Sequence, residues 1–274
     1  MGDDGDEHGA GGGGEPDEGR PLLRVERRGP VTRLILDSPH NRNALSARLL
    51  SEFAAALEDI GSDPAIRLVV VTGVGTTFCS GADLGERRSA DPGISAHTAL
   101  PEVLRRIVRL PQPVLARVNG HVRAGGMGLV AACDLAVAPA SATFAFSEVR
   151  VGVAPAIIAV PALRVMSRRA FARYSLTGET FSAHEARAAG LLTATVDDAE
   201  LDRWVEGVTA SFLLSSPDAI TVTKKLFEVV WEQDWDQAMD SATALSSEAF
   251  GSADAAEGIG AFLEKRPPVW VKRP

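Results

Sequence analysis

A glycine-rich bend carries the first chemical signal of the chain. Residues 118–134 read VNGHVRAGGMGLVAACD, in which an apolar run meets a turn, crosses Gly125 and Gly126 and continues as an Ala/Leu/Val helix. Glycine lets the backbone approach a ligand closely, and the unpaired amides at the start of a helix carry the positive end of its dipole. The bend therefore favours an anion site. A structural turn with close helix packing explains the same residues, so the bend alone does not decide between the two.

A second loop follows a β-branched run at 66–72, which is typical of a strand buried on both faces. The loop reads TGVGTTFCSGADL over residues 72–84. Gly73 and Gly75 look like the start of a dinucleotide fingerprint, but Phe78 stands where the third glycine belongs and no clear helix follows at once. We therefore expect no nicotinamide cofactor at this loop.

Glu148 is the candidate for acid–base chemistry. It follows a strand-like run at 143–146 and has apolar neighbours. Burial in such a setting raises the pKa of a carboxyl toward the range of a general acid or base. A solvated glutamate after a strand is the alternative interpretation. No metal site is predicted, because the histidines show no metal-ligand spacing.

Hydrophobic periodicity places these residues on a repeating framework. Alternation at 22–36, broken by a Gly-Pro turn, predicts a hairpin of two strands. Helical spacing from Ser46, the expected N-cap, to Ile60 predicts a helix. A strand, a loop, a helix and another strand follow from Ile66 and again from Val114, which indicates a repeated α/β unit. Residues 151–160 are predicted to be a tight buried turn that leads into a helix near 162.

Composition divides the chain into three parts. Residues 1–20 are almost entirely Gly, Asp and Glu, and we expect a disordered acidic tail because so little apolar surface cannot offset the entropy of ordering. Residues 21–200 are predicted to form the α/β core. Residues 201–274 indicate successive helices without a strand, at 201–214, 219–232, 235–250 and 252–265. We expect this helical region to pack against other subunits and to help close the active site.

Charge and hydropathy argue against several classes of protein. The formal net charge is −8, whereas nucleic-acid binders usually present a basic surface. No segment has the ~20 apolar residues of a membrane span, and the N-terminal tail lacks the apolar core of a signal peptide. Cys79 and Cys133 lie in apolar settings, which favours buried free thiols. We therefore expect a cytoplasmic protein that binds neither nucleic acid nor membrane.

Motifs along nearly the whole chain after the tail match one family. They are Asn43-Ala44-Leu45, the loop 78–84, the bend 118–134, the run 144–152, Leu176-Thr177-Gly178, Gly190-Leu191, Ser216-Pro217 and the ending 257–266. In this order the chain resembles the crotonase superfamily, the enoyl-CoA hydratase/isomerase family. The resemblance implies an α/β fold, a crotonase-like spiral of repeated ββα units with a C-terminal helical region. It also implies an acyl-CoA thioester substrate, a homotrimer or dimer of trimers, and no cofactor beyond the coenzyme A of the substrate.

The family stabilises an enolate oxygen with two backbone amides, which the resemblance assigns to Ala82 and Gly125. Each preorganised donor contributes ~3–4 kcal/mol in comparable sites. Glu148 matches one of the two glutamates with which hydratases of the family hold a water. The resemblance implies a wider substrate-binding set, formed by Asn41, Arg42, Ala44, Ser80, Asp83, Leu84, Gly126, Gly128, Pro155, Ala156, Phe262 and Lys265. We expect Phe262 and Lys265 to reach the coenzyme A of the same or a neighbouring subunit, although a solvated helix end explains Lys265 equally well.

Two departures from the family pattern leave the reaction open. The first hydratase glutamate falls on Gly128, and residues 154–157 read APAI where relatives often carry a Pro-Gly-rich loop, which predicts a narrower acyl pocket. Three functions follow: hydration of a short or branched 2-enoyl-CoA, double-bond isomerisation with Glu148 as the single acid and base, and acyl-CoA binding with little catalysis. We expect hydration, and we expect Gly128→Glu to raise its rate.

Overall fold

The computed structural model describes residues 19–83, 85–86 and 96–271, and the side chains at 96 and 97 lie outside the description. Most of the predicted tail, residues 1–18, and the predicted substrate-binding residue Leu84 also lie outside the described residues.

The described residues form ten β-strands and ten α-helices. The strands are β1 (Leu23–Arg28), β2 (Val31–Leu36), β3 (Leu68–Gly73), β4 (Thr77–Cys79), β5 (Val114–Arg117), β6 (His121–Arg123), β7 (Leu135–Pro139), β8 (Thr143–Ala145), β9 (Phe181–Ser182) and β10 (Ala194–Val196). The helices are α1 (Ala47–Gly61), α2 (Ala96–Arg109), α3 (Gly125–Ala132), α4 (Ala156–Val165), α5 (Arg168–Thr177), α6 (Ala183–Ala188), α7 (Leu201–Leu214), α8 (Pro217–Glu232), α9 (Trp235–Phe250) and α10 (Ala253–Leu263).

The ten strands are divided between two sheets. The larger sheet has the order β1-β2-β3-β5-β7-β10, and the smaller has the order β4-β6-β8-β9. After the β1–β2 hairpin the larger sheet is parallel, and β4, β6 and β8 are parallel to one another. The chain thus passes from a long strand to a short one three times, as β3–β4, β5–β6 and β7–β8. This repetition confirms the expected α/β class with repeated ββα units.

The first helix forms as its sequence pattern predicts and fixes the segment that precedes it. The Oγ of Ser46 accepts a hydrogen bond from the backbone N–H of Leu49 at 3.1 Å, which satisfies one of the free amides of the first turn. The buried residues of α1 recur at helical spacing and lie in the main core: Leu49, Leu50, Phe53, Leu57 and Ile60. Burial of this stripe holds residues 41–46 against the core.

Several short elements differ from the sequence-based prediction. The predicted loop after β3 contains β4, the glycine-rich bend contains β6, and β9 and β10 were not predicted at all. Strands of two or three residues are too short to show an alternating pattern. Helix α4 begins at Ala156 rather than near 162, with Pro161 inside it. A proline normally ends a helix, but packing of this small apolar helix on α3 outweighs the lost hydrogen bond.

The C-terminal region is helical, as expected. Helices α8 and α9 contain no residue that is buried in the described chain, and Trp235 and Phe250 are 79% and 75% exposed. A mostly buried ion pair attaches α8 to the core, because the Nζ of Lys224 lies 2.7 Å from a carboxylate oxygen of Asp134. Within the described part of the chain, every helix is too short or too polar to cross a bilayer.

Candidate active site

The three candidate catalytic residues lie after three neighbouring strands of the smaller sheet. Ala82 follows β4, Gly125 follows β6 and Glu148 follows β8. Cys79 on β4 pairs with β6, which in turn pairs with β8, and all three strands run in the same direction. Because parallel strands end at the same edge of a sheet, the three loops meet there. The structure therefore brings together the residues that the sequence analysis selected.

Two backbone amides face the space between the first two loops. The N–H of Leu45 donates to the carbonyl of Gly81 at 2.7 Å, and the N–H of Asp83 donates to the carbonyl of Leu45 at 3.1 Å. In extended backbone successive amides alternate in direction, so the intervening amide of Ala82 points away from Leu45. Gly125 is the first residue of α3, where an amide has no acceptor within its own helix.

The two loops are in close contact. A side-chain carbon placed on Gly125 would lie 3.9 Å from the amide nitrogen of Ala82, and one placed on Gly81 would lie 3.7 Å from the amide nitrogen of Gly125. Gly81 has a φ of 98°, which favours glycine. The amide nitrogens of Ala82 and Gly125 thus lie near the same contact between the two loops. Two backbone donors placed close together are the arrangement that stabilises an oxyanion in acyl-transfer enzymes.

Ala124 holds the second amide in place. It precedes α3 with φ 45° and ψ −119°, a conformation that costs an alanine ~1–3 kcal/mol. Its N–H donates to the carbonyl of Ala145 at 3.0 Å, and its carbonyl accepts from the N–H of Met127 at 2.8 Å. The strain is thus fixed between β8 and the first turn of α3, and it sets the direction of the Gly125 amide.

Asn41, Ser80 and Asp83, which were predicted to bind substrate, are bonded to one another. The side-chain amide of Asn41 donates to the carboxylate of Asp83 at 3.0 Å, and the hydroxyl of Ser80 donates to the backbone carbonyl of Asn41 at 3.0 Å. The side-chain oxygen of Asn41 accepts from the N–H of Ala44 at 3.2 Å. These bonds tie the segment before α1 to the Ala82 loop, so the residues position the amide of Ala82 whatever else they contact.

Asn43 has a structural role in this site that its sequence motif did not predict. Asn43 is buried, and its side-chain amide donates to the carbonyls of Val74 and Thr77 at 3.1 and 2.8 Å, while its side-chain oxygen accepts from the N–H of Ser38 at 2.9 Å. Its φ is 56°, and that of Arg42 is 57°. Asparagine tolerates this left-handed conformation better than most residues, and this preference was the available signal.

One carboxylate oxygen of Glu148 is buried and accepts no hydrogen bond from the described residues. Glu148 begins a short helical turn after β8 and is half-buried. Its Oε2 is inaccessible to solvent and has no hydrogen-bond partner among the described residues. Burial raises the pKa of the carboxyl, and a hydrogen bond from its own backbone N–H offsets only part of this shift. A buried carboxylate oxygen without a donor is costly, which makes it a ready acceptor for a proton from a bound molecule.

The glycines of α3 are packed against other parts of the core. A side-chain carbon on Gly126 would lie 2.8 Å from the Cβ of Cys79. One on Gly128 would lie 2.6 Å from the Cγ2 and 3.0 Å from the Cβ of Ile158 on α4. Gly128→Glu by itself therefore requires Ile158 to move, and the structure argues against the gain in hydration that the sequence led us to expect from this single change. Pro155 and Ala156 start the helix that carries Ile158.

Other predicted residues stand apart from this edge. Phe262 is 82% exposed and lies on α10, which packs on α8 and α9. Lys265 follows the end of α10 and is exposed as well. The chain by itself does not bring these two residues to the three loops. Cys79 and Cys133 are free and buried, as expected, and burial raises the pKa of the Cys79 thiol to about 12. Neither thiol has the character of a nucleophile.

Comparisons with known proteins match nearly the whole length of the chain. A family model described as enoyl-CoA hydratase/isomerase matches residues 26–273. The chain is 35% identical over 253 residues to the mitochondrial enoyl-CoA hydratase domain-containing protein 3 of Danio rerio, covering 91% of this chain and 87% of that protein. It is 32% identical over 246 residues to a mevalonyl-coenzyme A hydratase of Aspergillus fumigatus, covering 86% and 90%. A crystal structure of an enoyl-CoA hydratase from Mycobacterium smegmatis superposes with a TM-score of 0.87 at 35% identity, over 92% of this chain and 100% of that one.

Proposed function

The chain belongs to the enoyl-CoA hydratase/isomerase family, and we propose that it adds water to a short or branched 2-enoyl-CoA with Glu148 as its single acid and base. The observation that carries this proposal is the buried Oε2 of Glu148, which has no hydrogen-bond partner in the described part of the chain. It lies after β8, at the sheet edge that also presents the amides of Ala82 and Gly125. Relatives named as hydratases support the choice of water as the second substrate.

The proposed reaction needs only these three residues and a water. The thioester carbonyl accepts hydrogen bonds from the amides of Ala82 and Gly125. The carboxylate of Glu148 takes a proton from water as the water oxygen bonds to C3, and the electrons of the C2–C3 double bond move to the thioester oxygen. The enolate is the species that the two amides stabilise most. The carboxylic acid of Glu148 then returns its proton to C2, which completes the addition.

Isomerisation is the second candidate, and Gly128 and Ile158 favour it. Gly128 offers no carboxylate from this position of α3, and Ile158 fills the space beside it. One base suffices to take a proton from C2 of a 3-enoyl-CoA and to return it to C4, whereas hydration must also hold a water in place. The packing at Gly128 therefore makes isomerisation the reaction to test beside hydration.

The proposal extends to the surroundings of the site. Coenzyme A would lie along Asn41 to Ala44 and the loop at 82–84, and it would be part of the substrate rather than a separate cofactor. We propose a homotrimer or dimer of trimers that covers the exposed apolar side chains of the C-terminal helices. Phe262 and Lys265 would then reach coenzyme A from a neighbouring subunit. A cytoplasmic location stays a prediction, and the relative from Danio rerio is named as mitochondrial.

Two substrates separate the proposed reactions. Crotonyl-CoA should lose its conjugated absorbance as water adds, whereas a 3-enoyl-CoA should gain absorbance if the protein is an isomerase. We expect hydration of crotonyl-CoA or of a branched analogue to have the higher kcat/KM. Isomerisation would be selected if 3-enoyl-CoA substrates gain absorbance while 2-enoyl-CoA substrates lose none. Binding of acyl-CoA, measured by calorimetry, with turnover of neither substrate class would overturn both reactions and leave a binding protein.

A further inference from the structure

Ile158 and Gly128 form a contact that has a direct consequence for the chemistry of the site. Ile158 is 3% exposed and belongs to the main core. Its Cγ2, Cβ and Cα would lie 2.6, 3.0 and 3.5 Å from a side-chain carbon on Gly128. The Cα of Ile158 is in ordinary van der Waals contact, so the obstacle consists of the methyl Cγ2 and the branch point Cβ. Rotation about the Cα–Cβ bond moves Cγ2 but leaves Cβ in place.

A side chain at position 128 would point toward the catalytic edge. Residue 128 lies three positions after Gly125 in α3, so the two share one face of the helix. Side chains of a helix lean toward its N-terminus, and the N-terminus of α3 is where the Gly125 amide faces the Ala82 loop. A carboxylate at position 128 would therefore extend toward the same edge as Glu148.

We infer that Ile158 is a specificity-determining residue, which restricts the site to one carboxylate by filling the volume that any side chain at position 128 requires. The inference rests on the proposed function for its effect on the reaction, but its steric part is independent of turnover. It requires that Gly128 and Ile158 act as a coupled pair: a second carboxylate becomes useful only when Ile158 is shortened as well.

Stability tests the steric part. Replacing a glycine inside a helix by alanine is normally favourable. Gly207→Ala on α7 is the matched control, because a carbon added there meets no atom of the described residues within 4 Å, and it should keep or raise Tm. We expect Gly128→Ala to lower Tm instead, and we expect this loss to shrink when it is measured in an Ile158→Ala background. A Tm for Gly128→Ala that matches the control would overturn the inference.

Turnover tests the catalytic part with four proteins: the wild type, Gly128→Glu, Ile158→Ala and the double variant. Val160→Ala, an exposed change on the same helix, is the control for shortening a side chain of α4. We expect Gly128→Glu alone to lose stability without gaining hydration rate. The double variant should hydrate crotonyl-CoA ~10² times faster than Ile158→Ala, which is the lower end of the range for a positioned acid–base group.

Two outcomes would overturn the catalytic part. One is faster hydration by Gly128→Glu alone at an unchanged Tm. The other is a folded double variant that is no faster than Ile158→Ala, while the wild type remains active and dependent on Glu148. Turnover of neither substrate class by the wild-type protein would overturn the proposed function instead, and the Tm comparison at Gly128 would still decide the steric part.

Discussion

The two sides of the candidate site are built in different ways. The loops after β4 and β6 contribute backbone amides, at Ala82 and Gly125, and a dense set of hydrogen bonds fixes their direction. The loop after β8 contributes one side chain, Glu148, whose buried oxygen lacks a partner among the described residues. The backbone side therefore depends on geometry rather than on a reacting side chain, whereas the other side depends on a single carboxyl group.

The largest effect should come from removing that carboxyl. Glu148→Gln keeps the size of the side chain but can neither take nor return a proton, so we expect kcat/KM to fall by ~10²–10⁴. The matched control is Glu206→Gln, an exposed change on α7, which should keep wild-type kcat/KM. Similar rates for the two variants on the enoyl-CoA substrate would rule out Glu148 as the acid and base.

A smaller loss should follow from removing one amide of the backbone side. Ala82→Pro deletes the N–H without deleting a side-chain contact, and loss of one oxyanion donor typically costs ~10²–10³ in kcat. Ala82→Ser keeps the N–H, so its loss should be much smaller. Circular dichroism of both variants checks that the loop change leaves the fold intact. Equal losses in the two folded variants would show that the N–H of Ala82 is not a donor in the reaction.

The pH dependence should report the burial of Glu148. The first step needs the carboxylate, whose pKa is raised above the ordinary value of 4.5 by burial. We therefore expect kcat/KM to fall by about tenfold per pH unit below an apparent pKa that lies above 4.5. A profile of kcat/KM that stays flat down to pH 4.5 would contradict the buried setting of the acting base.

The smallest expected effect is on stability. A carboxyl with a raised pKa holds its proton more readily in the folded chain than in the unfolded one, so wild-type stability falls as pH rises from about 4.5 through the folded pKa. Glu148→Gln lacks this charge, and its Tm should exceed that of the wild type at neutral pH. The difference should vanish below pH 4.5. A Tm difference that does not change with pH would count against a raised pKa.

Much of this comparison could be predicted from the sequence. Motif order located Ala82, Gly125 and Glu148, and apolar runs predicted the long strands that precede their loops. The short strands β4 and β6, which align the loops, contain three residues each and leave no periodic signal. The direction of the two amides depends on φ and ψ at Gly81 and Ala124, and residue identity alone does not fix these angles at an alanine.

The contact between Ile158 and Gly128 could not be predicted for a different reason. The sequence predicts a start of α4 near 162, which places Ile158 in a turn and gives it no helical face. The true start at Ala156 determines which side chains of α4 contact α3. This packing shows that Ile158 occupies the space that a carboxylate side chain at position 128 would need. The sequence revealed the departure at Gly128 without its cause.

Hydrogen exchange at C2 of a saturated acyl-CoA tests the central claim most directly, because it requires the enolate and Glu148 but neither water addition nor a double bond. In D₂O, we expect the wild-type protein to replace a C2 hydrogen of butyryl-CoA by deuterium, as measured by mass spectrometry. Exchange should be lost in Glu148→Gln and kept in Glu206→Gln. Two results would contradict the formation of an enolate by Glu148. One is exchange at the wild-type rate in Glu148→Gln, and the other is a wild-type protein that binds butyryl-CoA without exchanging its C2 hydrogens.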